Sequence, residues 1–462
     1  MITRADINDR VRLWGLREDV VEKDYVLGWL LWGIGADPLL HRTWVFKGGT
    51  CLKKCYIETY RFSEDLDFTV LEDGPIERDE VTEAISRVLD RVNQESGIDF
   101  TLIPPRYRDR PSGRSAEMRV YYRGPRNTPG PASIKFDLTK DEIIARPPVL
   151  MPISHDYPDA LPEPGHVRCY GFEEVFAEKL RAMAERSRPR DLYDIVNLFR
   201  RPDFKPHSGL VLDVLVQKCE YKGVPMPSAE AIRESPMFEE LKEEWGNMLA
   251  HQLRALPEFE HFWVEVPRIF AWLDGTEPTE ELEPSPIPDG EELWTPPATF
   301  WTTGLGSRLE PVRFAAVNRL LVNLGYLGRH RLIEPYSLRR TKDGHILLHA
   351  IRADGRGSRS YRVDRIQSVD VTNHPFSPRY LIEFPASGTI PAPPTQRQEA
   401  TRSPTVRRSP RMSSGNRRRF VVRCAVCRKL FRRVQRNTRL RPHKDPRGWD
   451  CPGRSGYLER VE

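Results

Sequence analysis

Three aspartates lie on two short stretches of the chain that have the pattern of β-strands. Asp65 and Asp67 fall within EDLDFTVL, and Asp137 falls within SIKFDLT. Side chains two residues apart on a strand point to the same face, so the first two carboxylates should lie side by side. Acidic residues are poor strand formers, and adjacent carboxylates repel each other unless a cation lies between them. The pattern predicts a Mg²⁺ or Mn²⁺ site that Asp137 completes from a neighbouring strand.

A glycine pair and a threonine, Gly48, Gly49 and Thr50, precede these acids in FKGGT. Glycine lets backbone approach a phosphate closely, and Thr50 is predicted to begin a helix whose N-terminus favours anions. A GG turn, a DxD strand and a third acidic strand, in this order, indicate phosphoryl or nucleotidyl transfer from a nucleotide. The alternative is that the DxD carboxylates only cap a turn or pair with Arg61.

The elements that must position these residues are predicted to form a small mixed sheet with helices. Residues 1–36 and 76–96 have apolar positions at helical spacing, whereas TWVFKGG, EDLDFTVL, MRVYYRG and SIKFDLT have the character of strands. Residues 171–272 are predicted to be largely helical. A second unit opens with VRFAAVNRLLVNLGY, predicted as one helix, and continues with short alternating strands.

These patterns predict an α+β multidomain protein. The predicted parts are a first domain at 1–275, a Pro- and Glu-rich linker at 276–300, a small β-rich domain at 301–385, a disordered basic linker at 386–419 and a small last module at 420–462.

The stretch FKGGTCLKKCYIETYRFSEDLDF resembles the first motif of the AbiEii/AbiGii toxin family of nucleotidyltransferases, within the polymerase-β-like superfamily. EKLRAMAERSRPRDLYDI resembles the later motif of that family, and the resemblance covers about residues 10–275. It implies a polymerase-β-like core with a helical C-terminal half. It also implies a toxin of a toxin–antitoxin or phage-defence system that transfers NMP from an NTP to RNA, with tRNA ends as the expected acceptor. A cognate antitoxin is the expected protein partner.

The resemblance also implies roles for individual residues. Asp65 and Asp67 would hold the metal ions, and Asp137 would complete the site and help to activate the attacking hydroxyl. The residues that would contact the nucleotide are Gly48, Gly49, Thr50, Lys54 and Lys179. Asp191 would orient the nucleotide-binding lysine or neighbouring basic groups. Without the resemblance, Lys179 would be interpreted as part of a solvated helix face with i,i+4 ion pairs.

Residues 331–371 resemble the WYL domain, a small β-rich, Sm-like fold linked to ligand or nucleic-acid sensing. The tripeptide that names that family is absent, since residues 346–348 are ILL. Arg359, Arg362 and Arg365 are candidates for binding an anion. The alternative is that they pair with acids on the same sheet surface.

The last module carries Cys424, Cys427, His443 and Cys451 in a C-x2-C, His, Cys arrangement. Three cysteines and a histidine are a suitable ligand set for tetrahedral, structural Zn²⁺, and a unit of this size needs such a ligand to fold. The alternative is free thiols in a disordered tail. The four other cysteines are predicted to be packed core thiols.

Charge is distributed unevenly along the chain. Residues 386–462 contain 20 Lys+Arg and 5 Asp+Glu, a net of +15, which leaves −9 for residues 1–385 of the total of +6. The basic tail and the WYL-like domain could contact DNA or RNA; the alternative is a solubilising tail. No secretory signal is recognisable, and the apolar stretch at residues 25–36 is too short to span a bilayer. We therefore expect a cytoplasmic protein without a membrane partner.

Three other function classes remain open at this point. One is a non-enzymatic regulator that binds nucleic acid through the WYL-like domain and the zinc module. Another is a pure interaction protein, such as an antitoxin-like binder. The third is a kinase-like transferase that moves the γ-phosphate to a protein, which would use similar residues.

Overall fold

The structure is a computed structural model, and it describes most of residues 1–384 and parts of 420–461. The described residues are 1–57, 61–111, 113–200, 207–276, 282–297, 300–301, 304–355, 357–384, 420–424, 427, 429–433, 438, 440–444, 450–451 and 456–461. The predicted disordered linker at 386–419 lies outside these residues. The chain divides into two compact units, residues 1–395 and 396–462.

A seven-stranded mixed sheet forms the centre of the N-terminal half. Its strands are β1 (Trp44–Lys47), β2 (Asp65–Val70), β3 (Arg106–Asp109), β4 (Ser115–Tyr122), β5 (Ala132–Thr139), β6 (Val149–Pro152) and β7 (His166–Cys169). Their spatial order is β3-β4-β5-β2-β1-β7-β6. β2 is parallel to β5 and antiparallel to β1, so β2 lies inside the sheet with a partner on each side.

One face of this sheet is covered by helices. The helices of this half are α1 (Arg4–Trp14), α2 (Glu18–Ala36), α3 (Leu40–Thr43), α4 (Gly48–Cys51), which continues as a π-helix at Leu52–Tyr56, and α5 (Arg78–Ser96). α2 is apolar on nearly all sides because it is enclosed, with Val26, Leu27, Leu30 and Leu31 fully buried. Among the described residues, no helix combines the length and apolarity that a membrane crossing requires.

The second half of the first unit begins with a group of helices, as predicted. They are α6 (Phe172–Arg186), α7 (Pro189–Phe199), α8 (Ser208–Lys222), α9 (Ala229–Glu234), α10 (Phe238–Leu249), α11 (Phe259–Trp263) and α12 (Val266–Leu273). α7 has one strongly apolar face, and Pro189 occupies its first turn, where a missing backbone N–H costs no hydrogen bond.

A second, antiparallel sheet follows. It comprises β8 (Glu291–Leu293), β9 (Leu320–Tyr326), β10 (Arg329–Thr341), β11 (Ile346–Arg352), β12 (Ser358–Arg362) and β13 (Ile366–Pro375), with α13 (Gly304–Val317) packed on it. The segment predicted as a linker at 276–300 therefore contributes a strand, β8, which pairs with β10.

The prediction of a single helix over VRFAAVNRLLVNLGY was wrong. α13 ends at Val317, Arg319 adopts a left-handed conformation with φ of 55°, and LLVNLGY forms β9. Buried and partly exposed residues alternate along most of β9, as expected for a strand with one face in the core. A short apolar run of this kind satisfies both helical and strand patterns, so periodicity alone does not separate them.

Buried polar contacts join the helical region to the second sheet. The Tyr193 hydroxyl on α7 donates to Asn318 Oδ1 at 2.7 Å. Glu265 accepts hydrogen bonds from Arg200 at 2.8 Å and from Arg319 at 2.7 Å. These residues are largely buried, so the junction is a packed interface rather than a flexible connection.

The C-terminal unit is small and rich in β-structure. It contains β14 (Phe420–Cys424), β15 (Leu430–Arg433), β16 (His443–Lys444), β17 (Asp450–Cys451) and β18 (Gly456–Val461). β15, β14 and β18 form one sheet, and β16 pairs with β17. Its small core includes Val422 and two cysteines, Cys424 and Cys451.

Candidate active site

Two adjacent parallel strands bring the three predicted carboxylates together. In the register of β2 and β5, Asp67 lies directly opposite Asp137, and Asp65 lies opposite Lys135. The alternating residues Leu66 and Phe68 are fully buried in the core, whereas the aspartates are partly exposed on the other face. The DxD strand and the third acidic strand therefore meet on the open face of the sheet.

The carboxylates are close enough to disturb one another electrostatically. Burial, followed by repulsion from Asp137, raises the pKa of Asp67 to about 6. Burial also raises the pKa of Asp65, and the Asp137 charge adds to that shift. Negative charge at this position is thus under-compensated by the protein.

The donor set fits a hard divalent cation. Three carboxylates on one face supply the oxygen ligands that Mg²⁺ and Mn²⁺ prefer. In the structure Asp137 is paired with two cationic side chains, Arg110 Nη2 at 2.8 Å and Lys135 Nζ at 2.7 Å. Arg110 is about half exposed, at 50 %, so it can swing away from the carboxylate and leave the oxygen to a metal ion.

The glycine pair, Gly48 and Gly49, lies next to the carboxylate cluster. Gly48 has a φ of 80°, and a Cβ placed on it would lie 2.3 Å from Asp67 Oδ2. A Cβ on Gly49 would lie 2.5 Å from Arg61 Nη2. Gly48 therefore requires glycine for its conformation and its close approach, whereas a Cβ at position 49 would push the Arg61 guanidinium out of place. The Thr50 hydroxyl donates to the backbone carbonyl of Asp65 at 2.5 Å, so this side chain ties the turn to β2.

Lys179 on α6 lies in a buried ionic network with the RDLYD segment of α7. Its Nζ is 3.1 Å from Asp191 and 2.7 Å from Asp194. Arg186 forms a bidentate pair with Asp191 at 2.8 and 3.1 Å. Lys179 helps to counter the raised pKa of Asp67, which places the network beside the carboxylates.

Arg61 also belongs to this network. Its Nε and Nη2 both donate to Asp194 at 2.8 Å, and its Nη1 donates to Gln252 at 3.1 Å. All three nitrogens of the guanidinium group are thereby engaged, so Asp194 and Gln252 hold the Arg61 side chain in the buried network.

The ion pair of Lys54 is formed with Asp24 on α2, not with a carboxylate of the candidate site. Its Nζ donates to Asp24 on α2 at 2.7 Å, and both side chains are almost completely buried. Tyr157 donates to the same carboxylate at 3.0 Å. The predicted nucleotide contact of Lys54 stays a prediction.

Two basic residues near the site were missed by sequence reasoning. Arg190 contributes positive charge that opposes the raised pKa of Asp65, and burial lowers its own pKa. Within the described part of the chain, the Nε of Arg190 is buried without a hydrogen-bond partner. Lys47 lies opposite Asp67 in the pairing of β1 with β2. The signal for Arg190 was its place inside SRPRDLYD, directly before Asp191.

The predicted zinc ligands also converge, within the C-terminal unit. One ligand atom from each of Cys424, Cys427, His443 and Cys451 lies within 4.8 Å of the others. Cys427 Sγ is 3.2 Å from His443 Nε2, and Cys424 Sγ is 3.9 Å from Cys451 Sγ. Four soft or borderline donors at these separations fit a tetrahedral Zn²⁺ site.

The cysteines predicted as core thiols are buried. Cys51, Cys55 and Cys169 are fully buried, and Cys219 is 2 % exposed. The sulfurs of the first three lie within 4.8 Å of one another. Packing of small, soft side chains accounts for their burial.

Comparison with known proteins identifies a family from residues 29–273. A family model described as "Nucleotidyl transferase AbiEii toxin, Type IV TA system" matches residues 29–273, more than half of the chain. Among solved structures, the chain is similar to MenT4, a nucleotidyltransferase toxin from Mycobacterium tuberculosis H37Rv. That match has 22 % identity and a TM-score of 0.43, and it covers 60 % of this chain and 91 % of the other. No curated protein matches the chain significantly. From the family model, the chain belongs to the AbiEii family of nucleotidyltransferase toxins.

Proposed function

We propose that this nucleotidyltransferase transfers an NMP from an NTP to a hydroxyl of RNA, with tRNA ends as the first acceptors to test. The observation that carries the proposal is the register of β2 and β5, which sets Asp67 against Asp137 on an open face. Nucleotidyl transfer needs oxygen ligands for a divalent cation beside the triphosphate, and this pair with Asp65 supplies them.

Asp65, Asp67 and Asp137 would hold Mg²⁺ or Mn²⁺, which when bound would neutralise negative charge on the triphosphate. The chain itself would orient the nucleotide. Without side chains, Gly48 and Gly49 lie directly against Asp67 and Arg61, which would bring the backbone of the turn close to a nucleotide phosphate held at the carboxylates. Asp137 on β5 lies where it could accept a proton from the attacking hydroxyl.

The ionic network would supply the positive charge that faces the phosphates. Lys179 is compensated by two aspartates, so its main role would be to hold α6 and α7 in place beside the site. Arg186 is 58 % exposed, and the Nε of Arg190 is buried without a hydrogen-bond partner among the described residues, so these two arginines have capacity for an anionic ligand. Asp191 would orient Arg186 through its bidentate pair.

The other parts of the chain would assist rather than catalyse. The C-terminal unit would bind one structural Zn²⁺ and contact nucleic acid through its basic residues. For the second sheet we propose a ligand or nucleic-acid contact, although Arg362 is already paired with Asp364 at 2.7 Å. The family description as a toxin–antitoxin system supports a cognate antitoxin as the protein partner.

A labelling experiment tests the reaction. The purified full chain would be incubated with total bacterial RNA, Mg²⁺ and each α-³²P-labelled NTP in turn, beside an Asp65→Asn/Asp67→Asn double variant. Label on one RNA size class with the wild type alone would support the proposal. Label that reaches protein from a γ-labelled NTP in cell extract, and RNA in no α-labelled reaction, would contradict it and favour the kinase-like alternative.

A further inference from the structure

The open face of the first sheet continues outward from the carboxylates as two rows of charged residues. In the first row Asp65 on β2 lies opposite Lys135 on β5, Lys135 lies opposite Arg119 on β4, and Arg119 lies opposite Arg106 on β3. Residues directly opposite one another in adjacent strands share a face. The row thus crosses four neighbouring strands, from the carboxylates to the edge of the sheet.

The second row runs beside the first. Asp67 lies opposite Asp137, Asp137 lies opposite Glu117, and Glu117 lies opposite Arg108. Beyond the three carboxylates of the candidate site, the two rows hold four cationic side chains and the carboxylate of Glu117. We name this surface the basic face; it consists of Arg106, Arg108, Arg119 and Lys135 with Tyr121.

The basic face is accessible and faces away from the core. Arg106 and Arg108 are exposed, and the Arg119 side chain is 48 % exposed. The alternating residues Met118 and Val120 are fully buried on the opposite side. Glu117 neutralises part of the charge, since it pairs with Arg119 at 3.2 Å and with Lys135 at 3.7 Å.

An aromatic ring lies among these cations. The guanidinium carbon of Arg106 lies 5.4 Å from the centroid of the Tyr121 ring. Tyr121 stands opposite Ser133, one position along the same face from Arg119. Basic side chains with an aromatic ring on a sheet surface are the combination that holds single-stranded nucleic acid, because bases stack on the ring and phosphates meet the cations.

We infer that the basic face binds the phosphate backbone of the single-stranded acceptor RNA and guides its reactive end to the carboxylates. Adjacent strands lie about 4.8 Å apart, so the first row extends over about 14 Å, enough for a short stretch of single strand. A polyanion on this row ends at Asp65, beside Asp67 of the second row, where the attacking hydroxyl must arrive. An acidic protein would satisfy the charge but would leave Tyr121 and the alignment with the candidate site without a purpose. The inference rests on the proposed nucleotidyl transfer to RNA.

Binding of a short fluorescein-labelled single-stranded RNA to the full chain, measured by anisotropy in EDTA without NTP, tests this inference. The variants are Arg106→Gln/Arg119→Gln and a control pair of equal charge change, Arg42→Gln/Arg233→Gln. Arg42 on α3 and Arg233 on α9 are exposed and lie outside the basic face. The basic C-terminal segment is present in every protein, so its contribution cancels in the comparison.

The first double variant should bind the RNA about tenfold more weakly near 0.1 M salt. The slope of log K against log salt should become shallower by about 1.4, because each of the two lost phosphate contacts contributes about 0.7. The control pair should change neither value. The inference would be overturned if the first double variant kept both the RNA affinity and the salt slope of the wild type. It would also be overturned if the wild type bound a poly-glutamate peptide as tightly as the RNA. This binding assay contains no nucleotide, so its result does not depend on nucleotidyl transfer. Failure of transfer in the labelling experiment would refute the proposed function and would leave the binding result unchanged.

Discussion

Asp67 on β2 lies directly opposite Asp137 on the parallel strand β5, with Asp65 on the same face of β2. The three carboxylates are held by paired strands inside a sheet, not by loops. A site built on such elements keeps its ligands in a fixed mutual position even when no cation is bound. The carboxylates therefore repel one another, and burial together with this repulsion raises the pKa of Asp67.

Replacing Asp67 by Asn should stabilise the metal-free protein in a pH-dependent manner. Burial and Asp137 raise the pKa of this group from 3.8 to about 6 on folding. A carboxyl group with a raised folded pKa contributes stability that is fully present below pH 4 and is lost as the pH rises through 6. At pH 7 the variant should exceed the wild type by about 1–2 kcal/mol after solvent screening is allowed for, and this advantage should vanish near pH 4.

Urea unfolding in EDTA at several pH values measures this difference. Comparing the variant with the wild type at each pH cancels the contributions of the groups that do not interact with Asp67. A difference in the free energy of unfolding that does not change between pH 4 and pH 7 would show that Asp67 does not carry the repulsion.

Replacing Asp194 by Ala should destabilise the fold strongly. The substitution leaves Arg61 and Lys179 buried without the carboxylate that both contact. Loss of one partner of a buried ion pair costs about 3–5 kcal/mol. As a matched control, Asp364→Ala removes the exposed partner of Arg362 and should lower the free energy of unfolding far less. Equal losses for the two variants in chemical denaturation would refute the structural role of the network.

The hydrogen bond between Tyr193 and Asn318 should couple the helical region to the second sheet. Tyr193→Phe and Asn318→Ala should each lower the free energy of unfolding, because each removes the buried hydrogen bond between these two side chains. A double-mutant cycle by urea denaturation should yield a coupling energy of about 1 kcal/mol. Strict additivity of the two substitutions would mean that this contact contributes nothing to the junction.

The purified full chain should contain one Zn²⁺ per molecule. Cys427→Ser removes one of the four converging ligands and should lower the zinc content to a small fraction. Cys219→Ser changes a buried thiol on α8 outside this cluster and should retain the metal. Elemental analysis after dialysis reads out both variants. Wild-type protein without zinc would favour the alternative of free thiols.

Much of the local structure around the site was readable from the sequence. The alternation of SIKFDLT and the apolar residues of EDLDFTVL predicted β5 and β2, and the helical spacing of residues 76–96 predicted α5. The membership in the AbiEii family, expected from the GG, DxD and RDLYD segments, is confirmed by the family model. These features were accessible because each is encoded within a few consecutive residues.

Features that depend on long-range pairing were not readable. No local pattern states that Asp67 faces Asp137 or that Lys54 pairs with Asp24, because strand register and buried ion pairs join distant segments. The strands β3, β6 and β7 were missed because four residues are too few to show a period. The charged rows of the basic face appear only once β3, β4 and β5 are placed side by side.

The role of the paired carboxylates is tested most directly by the rate of Mg²⁺-dependent NMP transfer from an α-labelled NTP to RNA. The rate is compared among the wild type, Asp67→Asn and Asp109→Asn. Asp109 is an exposed acid on β3 of the same sheet, paired with Arg78 at 3.5 Å, and controls for loss of a charge. We expect Asp67→Asn to lose transfer by about a thousandfold or more, since each 1.4 kcal/mol of lost transition-state stabilisation costs a factor of about ten. Asp109→Asn should remain within about threefold of the wild type on the same scale. Transfer that survives in Asp67→Asn, or falls equally in both variants, would contradict the claim that the paired carboxylates perform the reaction.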